Sequence, residues 1–156
     1  MTGATEKQLD LAFQHAIENS QIFFGWVLDR TKFAGSSSKI ALLRSNYVWH
    51  KSNETGIESE TDILLVCEEH TSGRRFALHF ENKLANGHFT PNQPEQYAIR
   101  AKEWMHTPKY ENYSDFETVL SAPKLFYERN SVGCQYFNRY ISHEDIAEFI
   151  PEFVQA

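Results

Sequence analysis

The 156-residue sequence predicts an α/β protein with a mixed β-sheet core and flanking helices, in one domain spanning residues 1–156. Two observations favour this fold class. The predicted elements follow the order helix, strands, helix, strand, helix along the chain. Near the middle, two segments with strand character are separated by a short segment of turn-forming residues, which is typical of an antiparallel hairpin. At this length a chain buries enough surface to fold without metal or disulfide cross-links.

The first predicted helix begins with a capping box. Thr5 and Gln8 form the pattern T-x-x-Q, in which each side chain caps the backbone N–H of the other residue. Apolar residues then recur at spacings of three and four, on one side of the helix: Leu9, Ala12, Phe13, Ala16 and Ile17. The helix is predicted to pause at Asn19-Ser20 and to resume over residues 23–28.

The next segment, residues 35–60, has weaker signals. Gly35 to Ser38 is predicted to form a flexible loop, because it combines a glycine with three serines. Residues 39–49 are mostly apolar and fit either the end of a helix or a strand. Residues 50–60 are polar and are predicted to form a loop.

The central hairpin has three predicted parts, which are a strand over residues 62–69, a turn over 70–74 and a second strand over 75–84. Apolar residues alternate onto one face of the second strand, which leaves Glu81 and Lys83 together on the other face. With a turn centred on Ser72-Gly73, Asp62 is expected to lie opposite Lys83 and diagonally from Glu81. The hairpin therefore predicts a patch of two carboxylates and one ammonium group.

The C-terminal half adds further elements. They are a helix over residues 94–105 with proline in its first turn, strands near 118–121 and 125–127, and a short helix that Ser142 caps and Phe149 ends. Helices and strands thus alternate along this half, which supports the mixed α/β class.

Composition limits the partners and the location. The 15 basic and 21 acidic residues give a net charge of −6, which disfavours non-specific coating of DNA but allows a local, metal-assisted site. The longest apolar run, residues 63–67, is far shorter than a membrane span, and the N-terminus has no basic-then-apolar signal. The sequence therefore predicts a cytoplasmic protein without membrane contact, whose two cysteines stay reduced.

Asp62, Glu81 and Lys83 are the candidate catalytic residues. Mg²⁺ prefers oxygen ligands and keeps several waters, so two carboxylates and one backbone carbonyl suffice to hold it. An ammonium group beside such an ion is placed to orient or deprotonate a water molecule. The alternative is a cross-strand salt bridge on an exposed face, without a catalytic role. Cys67 and His70 form a weaker candidate for zinc, since no second pair stands at zinc-finger spacing.

These residues resemble a known family. Glu60-Thr61-Asp62 and, across the hairpin, Glu81-Asn82-Lys83 are similar to the D…(D/E)xK core of the PD-(D/E)XK nuclease superfamily, with threonine where the motif has proline. The segment Gln93-Pro-Glu-Gln-Tyr97 resembles the Q-x-x-x-Y motif of RecB-like members. Glu18 lies in the first helix, where many members place a further acidic ligand. The resemblance covers roughly residues 6–104 and implies a restriction-endonuclease-like fold.

The resemblance also implies a role for each matching residue. Asp62 and Glu81 are expected to hold one or two Mg²⁺ or Mn²⁺ ions, with the backbone carbonyl of Asn82 as a further ligand. Lys83 is expected to position or activate the attacking water. The supporting residues are Glu18 as an auxiliary ligand and Gln93 and Tyr97 as braces of the site or contacts to the substrate backbone. Arg100 follows Tyr97 by three residues, so both are expected to face the site, with Arg100 as a phosphate contact.

The leading hypothesis is a metal-dependent nuclease that hydrolyses DNA phosphodiester bonds by water attack. One alternative is an RNase of the same fold. Another is a non-catalytic module that binds nucleic acid or a partner protein, which the acidic charge and the lack of a separate DNA-binding domain favour. One site per chain implies a homodimer if both DNA strands are cut. A role in phage defence or DNA repair fits a small domain of this kind.

Overall fold

A computed structural model describes residues 3–35 and 39–155 of the chain. Five strands form one sheet in the order β1-β2-β3-β4-β5. They are Ile40–Lys51 (β1), Glu58–Glu69 (β2), Arg75–Asn82 (β3), Asp115–Ala122 (β4) and Arg139–Ser142 (β5). The first three strands are antiparallel, whereas β4 runs parallel to β3 and β5 runs parallel to β4. The prediction of an α/β protein with a mixed sheet and flanking helices is confirmed.

Helices precede the sheet, connect its parallel strands and follow it. They are Glu6–Asn19 (α1), Gln21–Leu28 (α2), Gln93–Glu103 (α3), Lys124–Arg129 (α4), Ser131–Cys134 (α5) and His143–Ile146 (α6), with 3-10 segments at Pro108–Tyr110 and Pro151–Gln155. None of the helices within the described ranges is long and apolar enough to cross a membrane. The connection from β3 to β4 runs through α3, which therefore packs close to the end of β3.

The first helix starts as its sequence predicts. The Thr5 hydroxyl accepts a hydrogen bond from the Gln8 N–H at 3.1 Å, and the Gln8 side chain accepts one from the Thr5 N–H at 2.9 Å. Ser20 then caps α2 by accepting a hydrogen bond from the Phe23 N–H at 3.2 Å. The predicted pause between two helices is confirmed, because this cap satisfies an N–H at the start of α2.

Each face of the sheet has its own apolar core. On one face, Phe80 of β3 packs against Phe13 of α1, with ring centroids 4.9 Å apart, and Phe13 packs against Phe23 of α2. The opposite core joins β2 and β3 to the segment after α3 through Leu64, Val66, Ala77, Trp104, Tyr110 and Tyr113. Helix α1 therefore covers one face and α3 approaches the other, and polar residues lie where both helices begin.

Two segments differ from the sequence prediction. Of the segment predicted as a loop, residues 50–51 form the end of β1 and residues 58–60 the start of β2, whereas residues 52–57 connect the two strands as a loop. These polar strand ends pair with each other beyond the apolar core, as in Trp49 opposite Glu60, so hydropathy carries no strand signal there. Residues 125–127, predicted as strand, lie in α4, because the chain leaves the sheet after Pro123.

Other boundaries agree with the sequence. The segment that fits either a helix or a strand, residues 39–49, belongs to β1 except for its first residue. Helix α3 has Pro94 in its first turn, and Ser142 caps α6, which ends three residues before the predicted Phe149. The predicted loop over residues 35–38 lies, apart from its glycine, outside the described ranges.

The register between β2 and β3 differs by two residues from the predicted one. Ile63 lies opposite Phe80, and the turn ends at Gly73 instead of having Gly73 at its centre. Gly73 has a φ of +70°, a left-handed conformation that favours glycine. Asp62 therefore does not lie opposite Lys83, and the predicted pairing is wrong.

A β-bulge interrupts β2 where its polar and apolar parts meet. Between the pairs Asn46–Leu64 and Val48–Thr61, β1 advances by two residues while β2 advances by three. The extra residue breaks the strict alternation of side chains along β2. Asp62 lies inside this bulge, next to the end of β3, and strand parity alone does not determine its orientation.

Candidate active site at the ends of β2 and β3

Three residues predicted from the sequence meet where β2 begins its buried part and β3 ends. Asp62 lies in the bulge, Glu81 is the penultimate residue of β3, and Lys83 directly follows the strand. Their exposed fractions are 8%, 2% and 7%. Within the described ranges, no ion pair closer than 4.0 Å joins them. The alternative of an exposed cross-strand salt bridge therefore does not describe this group.

The two carboxyl groups of the site lie close enough for each to shift the pKa of the other. Burial raises the pKa of Glu81 well above its ordinary value, and the charge of Asp62 raises it further. Burial also raises the pKa of Asp62, whereas the interaction with Glu81 and a hydrogen bond from the Asn82 N–H lower it. The Asn82 nitrogen lies 2.8 Å from Asp62 Oδ2. Burial therefore disfavours the charged forms of both carboxyl groups, most strongly at Glu81.

Helix α3 holds this pair in place with two side chains of its first turns. Gln93 Nε2 donates to Glu81 Oε2 at 3.0 Å. The Tyr97 hydroxyl donates to the Phe80 carbonyl at 3.1 Å and accepts from the Asp62 N–H at 3.3 Å. Gln93 and Tyr97 are four residues apart, so they lie on one side of the helix. The structure thus brings the Q-x-x-x-Y residues to the predicted carboxylates.

Lys83 lies beside the carboxylates and hydrogen-bonds to the loop that follows β3. Its Nζ donates to the His88 carbonyl at 3.0 Å and lies 5.6 Å from the centroid of the Phe89 ring. The positive charge of Lys83 lowers the pKa values of Asp62 and Glu81, although less than burial raises them. This ammonium group is therefore near the pair without being locked to either carboxylate.

Helix α1 adds two carboxylates that the sequence analysis missed, Glu6 and Asp10. Burial, followed by the charge of Asp62, raises the pKa of Asp10 to about 8, and burial raises the pKa of Glu6. A cavity of about 460 Å³ is lined by both residues together with Asp62. Glu6 and Asp10 are one helical turn apart at the start of α1. This spacing of two acidic residues is the sequence signal that could have identified them.

Glu18 is not part of this group. It lies near the C-terminal end of α1, two turns beyond Asp10, and its side chain is exposed. The prediction that Glu18 supports the site therefore does not match its position, because the start of α1, not its end, faces β2 and β3. Asp10 and Glu6 occupy the place that the sequence analysis gave to Glu18.

The side chain of Asn82 connects both sides of the site. Its amide nitrogen donates to Asp10 Oδ1 at 3.0 Å, and its amide oxygen accepts from His143 Nε2 at 2.6 Å. Burial lowers the pKa of His143 to about 3, so its imidazole is neutral. The middle residue of the Glu81-Asn82-Lys83 segment therefore orients Asp10 through its side chain, while its N–H contacts Asp62.

Arg100 lies below the site and does not contact its carboxylates. Nε donates to Thr61 Oγ1 at 2.7 Å, and Nη1 donates to Ser59 Oγ at 2.5 Å. The guanidinium carbon also lies 4.2 Å from the centroid of the Tyr97 ring. With an exposed fraction of 1%, Arg100 is part of the packing between α3 and β2. Its role as a phosphate contact stays a prediction.

The donor set suits a hard divalent cation in part. Asp62 and Glu81 are buried carboxyl groups with raised pKa values, and a bound cation would favour their charged forms. No group of three or more His, Cys, Asp or Glu side chains within the described ranges is arranged to hold a metal ion. The ligand set of Asp62, Glu81 and the Asn82 carbonyl therefore stays a prediction, and the zinc alternative at Cys67 finds no support.

Comparisons with known proteins add no assignment. No family model, no curated protein and no solved structure matches the chain.

Proposed function

We propose that this protein is a metal-dependent nuclease that hydrolyses phosphodiester bonds, with DNA as its substrate. The observation that supports this function is the burial of Asp62 and Glu81 side by side, with the Lys83 ammonium near them. Burial disfavours the charged forms of both carboxyl groups, and a bound divalent ion would favour them. A divalent ion would therefore stabilise this buried pair, whereas a purely structural contact needs no such ion.

Asp62, Glu81 and the Asn82 carbonyl would hold Mg²⁺ or Mn²⁺. When bound, such an ion polarises a phosphoryl oxygen and lowers the pKa of a bound water. The chain contributes the orientation of its ligands, because Gln93 donates to the Glu81 carboxyl group and the Asn82 N–H donates to the Asp62 carboxylate. Each carboxyl group is therefore held by a partner outside the pair, as metal ligands usually are.

Lys83 would act on the water and on the phosphate. Its ammonium group is placed to orient the attacking water and to offset the negative charge that develops on the phosphate. As the water oxygen bonds to phosphorus, it loses a proton to solvent, the bond from phosphorus to the leaving oxygen breaks, and the leaving oxygen takes up a proton from solvent. Among the described residues, Lys83 makes one side-chain hydrogen bond, to the His88 carbonyl, which leaves two of its three donor positions for these contacts.

Cleavage assays test this proposal. Purified protein is incubated with plasmid, linear duplex and single-stranded DNA and with RNA, in Mg²⁺, Mn²⁺ or EDTA. We expect metal-dependent cleavage that falls by at least about a hundredfold in Asp62→Asn, Glu81→Gln and Lys83→Met. Glu103→Gln changes a carboxylate outside the site and serves as the control. Cleavage that is unchanged in all three site variants would contradict the proposal.

A second candidate is a non-catalytic module of the same architecture. The lack of a three-residue metal group in the described part of the chain and the net charge of −6 favour it. Calorimetric titration with Mg²⁺ and Mn²⁺ separates the two. Binding at millimolar concentration that Asp62→Asn removes supports the nuclease, whereas no binding supports the module.

A further inference from the structure

A second cavity, of about 230 Å³, adjoins the candidate active site. We call it the α3 pocket and define it by Trp49, Ser59, Glu60, Gln93, Gln96 and Arg100. Gln93 belongs to both regions, because it lines the α3 pocket and donates to Glu81. A group bound in the pocket would therefore lie next to the proposed reaction centre.

Two buried polar side chains of the pocket wall are incompletely hydrogen-bonded. Arg100 and Gln96 are 1% and 3% exposed. Arg100 Nη2, a donor, and Gln96 Oε1, an acceptor, have no hydrogen-bond partner among the described residues. Buried polar atoms are normally paired, and among the unpaired side-chain atoms of the described residues these two belong to residues that line this pocket. The other two nitrogens of the Arg100 guanidinium are bonded, which keeps the group in place.

The pattern of these atoms suits a nucleobase better than a phosphate. Phosphate oxygens accept hydrogen bonds, so they satisfy Arg100 but not the Gln96 oxygen. The edge of a base offers a donor and an acceptor side by side. Glu58 and Glu60 also line the pocket, and their carboxylates repel an anion. A neutral heterocycle meets both conditions.

The pocket also has an aromatic surface at its opening. Trp49 of β1 is 54% exposed, although large aromatic side chains are usually more buried. Stacking of a base on an exposed aromatic ring is a common feature of sites that bind single strands. Trp49 therefore provides a face for the ring whose edge would reach Gln96 and Arg100.

We propose that the α3 pocket binds one unpaired nucleobase of the substrate, which makes single-stranded nucleic acid, or an unpaired end, the preferred substrate class. A base within a duplex uses its edge for pairing and is stacked on both faces, so it cannot enter this pocket. The assignment of this base to a substrate depends on the proposed nuclease function. Binding itself does not require cleavage and is measured separately.

The experiment measures binding by fluorescence anisotropy in EDTA, where metal-dependent cleavage does not occur. The probes are a labelled single-stranded DNA hexamer, the same hexamer with abasic sites, and a blunt hairpin duplex. The variants are Trp49→Ala, Trp49→Phe and Gln96→Leu, with Tyr136→Ala as a control because Tyr136 is equally exposed but does not line the pocket. Thermal melting checks that each variant is folded.

We expect the hexamer to bind at least about tenfold more tightly than the abasic hexamer or the duplex. Trp49→Ala and Gln96→Leu weaken this binding about tenfold, while Trp49→Phe and Tyr136→Ala retain it. Equal binding of hexamer and abasic hexamer, or competition by inorganic phosphate at the affinity of the hexamer, would overturn the inference. So would unchanged affinity in folded Trp49→Ala and Gln96→Leu.

Cleavage assays on the same proteins distinguish the two proposals. If base-dependent binding is observed but no metal supports cleavage, the nuclease proposal fails and the pocket stands as a binding site. If the wild-type protein cleaves DNA and folded Trp49→Ala cleaves single strands with the same kcat/KM, the pocket proposal fails and the nuclease remains.

Discussion

Two carboxylate regions of this protein, at the two ends of α3, show opposite electrostatics. At the C-terminal end of α3, Glu103 accepts hydrogen bonds from Ser52 Oγ at 2.5 Å, His50 Nε2 at 2.8 Å and the Glu54 N–H at 3.0 Å. Although burial raises the pKa of Glu103, these hydrogen bonds lower it to about 2. The chain therefore supplies all the donors that this carboxylate needs.

The carboxylates at the N-terminal end of α3 have few such donors. Asp62, Glu81 and Asp10 lie close to one another, and burial together with mutual repulsion raises their pKa values. Lys83 is a basic side chain near this group, and it also hydrogen-bonds to a loop carbonyl. The comparison shows that hydrogen bonds outweigh burial at Glu103, whereas burial and carboxylate repulsion outweigh the hydrogen bonds from Asn82 and Gln93 in the Asp62 group.

The largest expected difference is in the response to metal. We predict that Mg²⁺ or Mn²⁺ at 100 times its Kd stabilises the wild-type protein by about 2.7 kcal/mol. Asp62→Asn removes this gain because it removes a charged ligand, whereas Glu103→Gln keeps it. Differential scanning fluorimetry with and without EDTA measures both. An equal response in the two variants would show that the two regions do not differ as proposed.

The second prediction concerns Glu103 itself. Glu103→Gln replaces a carboxylate that accepts several hydrogen bonds, and we expect a loss of about 1–3 kcal/mol in the free energy of unfolding. The pKa of Glu103 is lowered on folding, so its contribution is present above pH 4.5 and is lost as the pH falls through about 2. Urea unfolding of both proteins between pH 7 and pH 2 tests this, and a constant difference would contradict it.

The third prediction is a pH dependence of opposite sign at Asp10. Its pKa is raised from 3.8 to about 8 on folding, so its contribution to stability is present below pH 3.8 and is lost as the pH rises through about 8. In EDTA, we expect wild-type stability to fall from pH 5 to pH 8 and Asp10→Asn to reduce this fall. Thermal melting across this range measures the slope; equal slopes would argue against a proton at Asp10.

The smallest expected effect is at Glu18. Its exposed side chain lies outside the Asp62 group, so Glu18→Gln is expected to change stability by no more than about 0.5 kcal/mol. Metal affinity, measured by calorimetry, is expected to match that of the wild-type protein. A clear loss of metal affinity in Glu18→Gln, with none in Asp10→Asn, would instead support Glu18 as the auxiliary ligand that the sequence resemblance implies.

Part of the candidate site was predictable because its residues are close in sequence. Glu81 and Lys83 are two residues apart in one strand, and Gln93 and Tyr97 are one turn apart in one helix, so local periodicity places each pair on one side. Asp62 was also identified, although its predicted partner across the hairpin was wrong. A register error of two residues keeps the same face, so this error did not separate the carboxylates.

The sequence alone determined the fold class, the hairpin and the polar side chains at its open end, since hydropathy periodicity and capping depend on neighbours along the chain. Only the tertiary structure showed that a bulge places Asp62, that α1 contributes Asp10, and that the α3 pocket contains Gln96 and Arg100 with unpaired atoms. These contacts join residues far apart in sequence. Their geometry follows from how helices pack on the sheet, which no local pattern encodes.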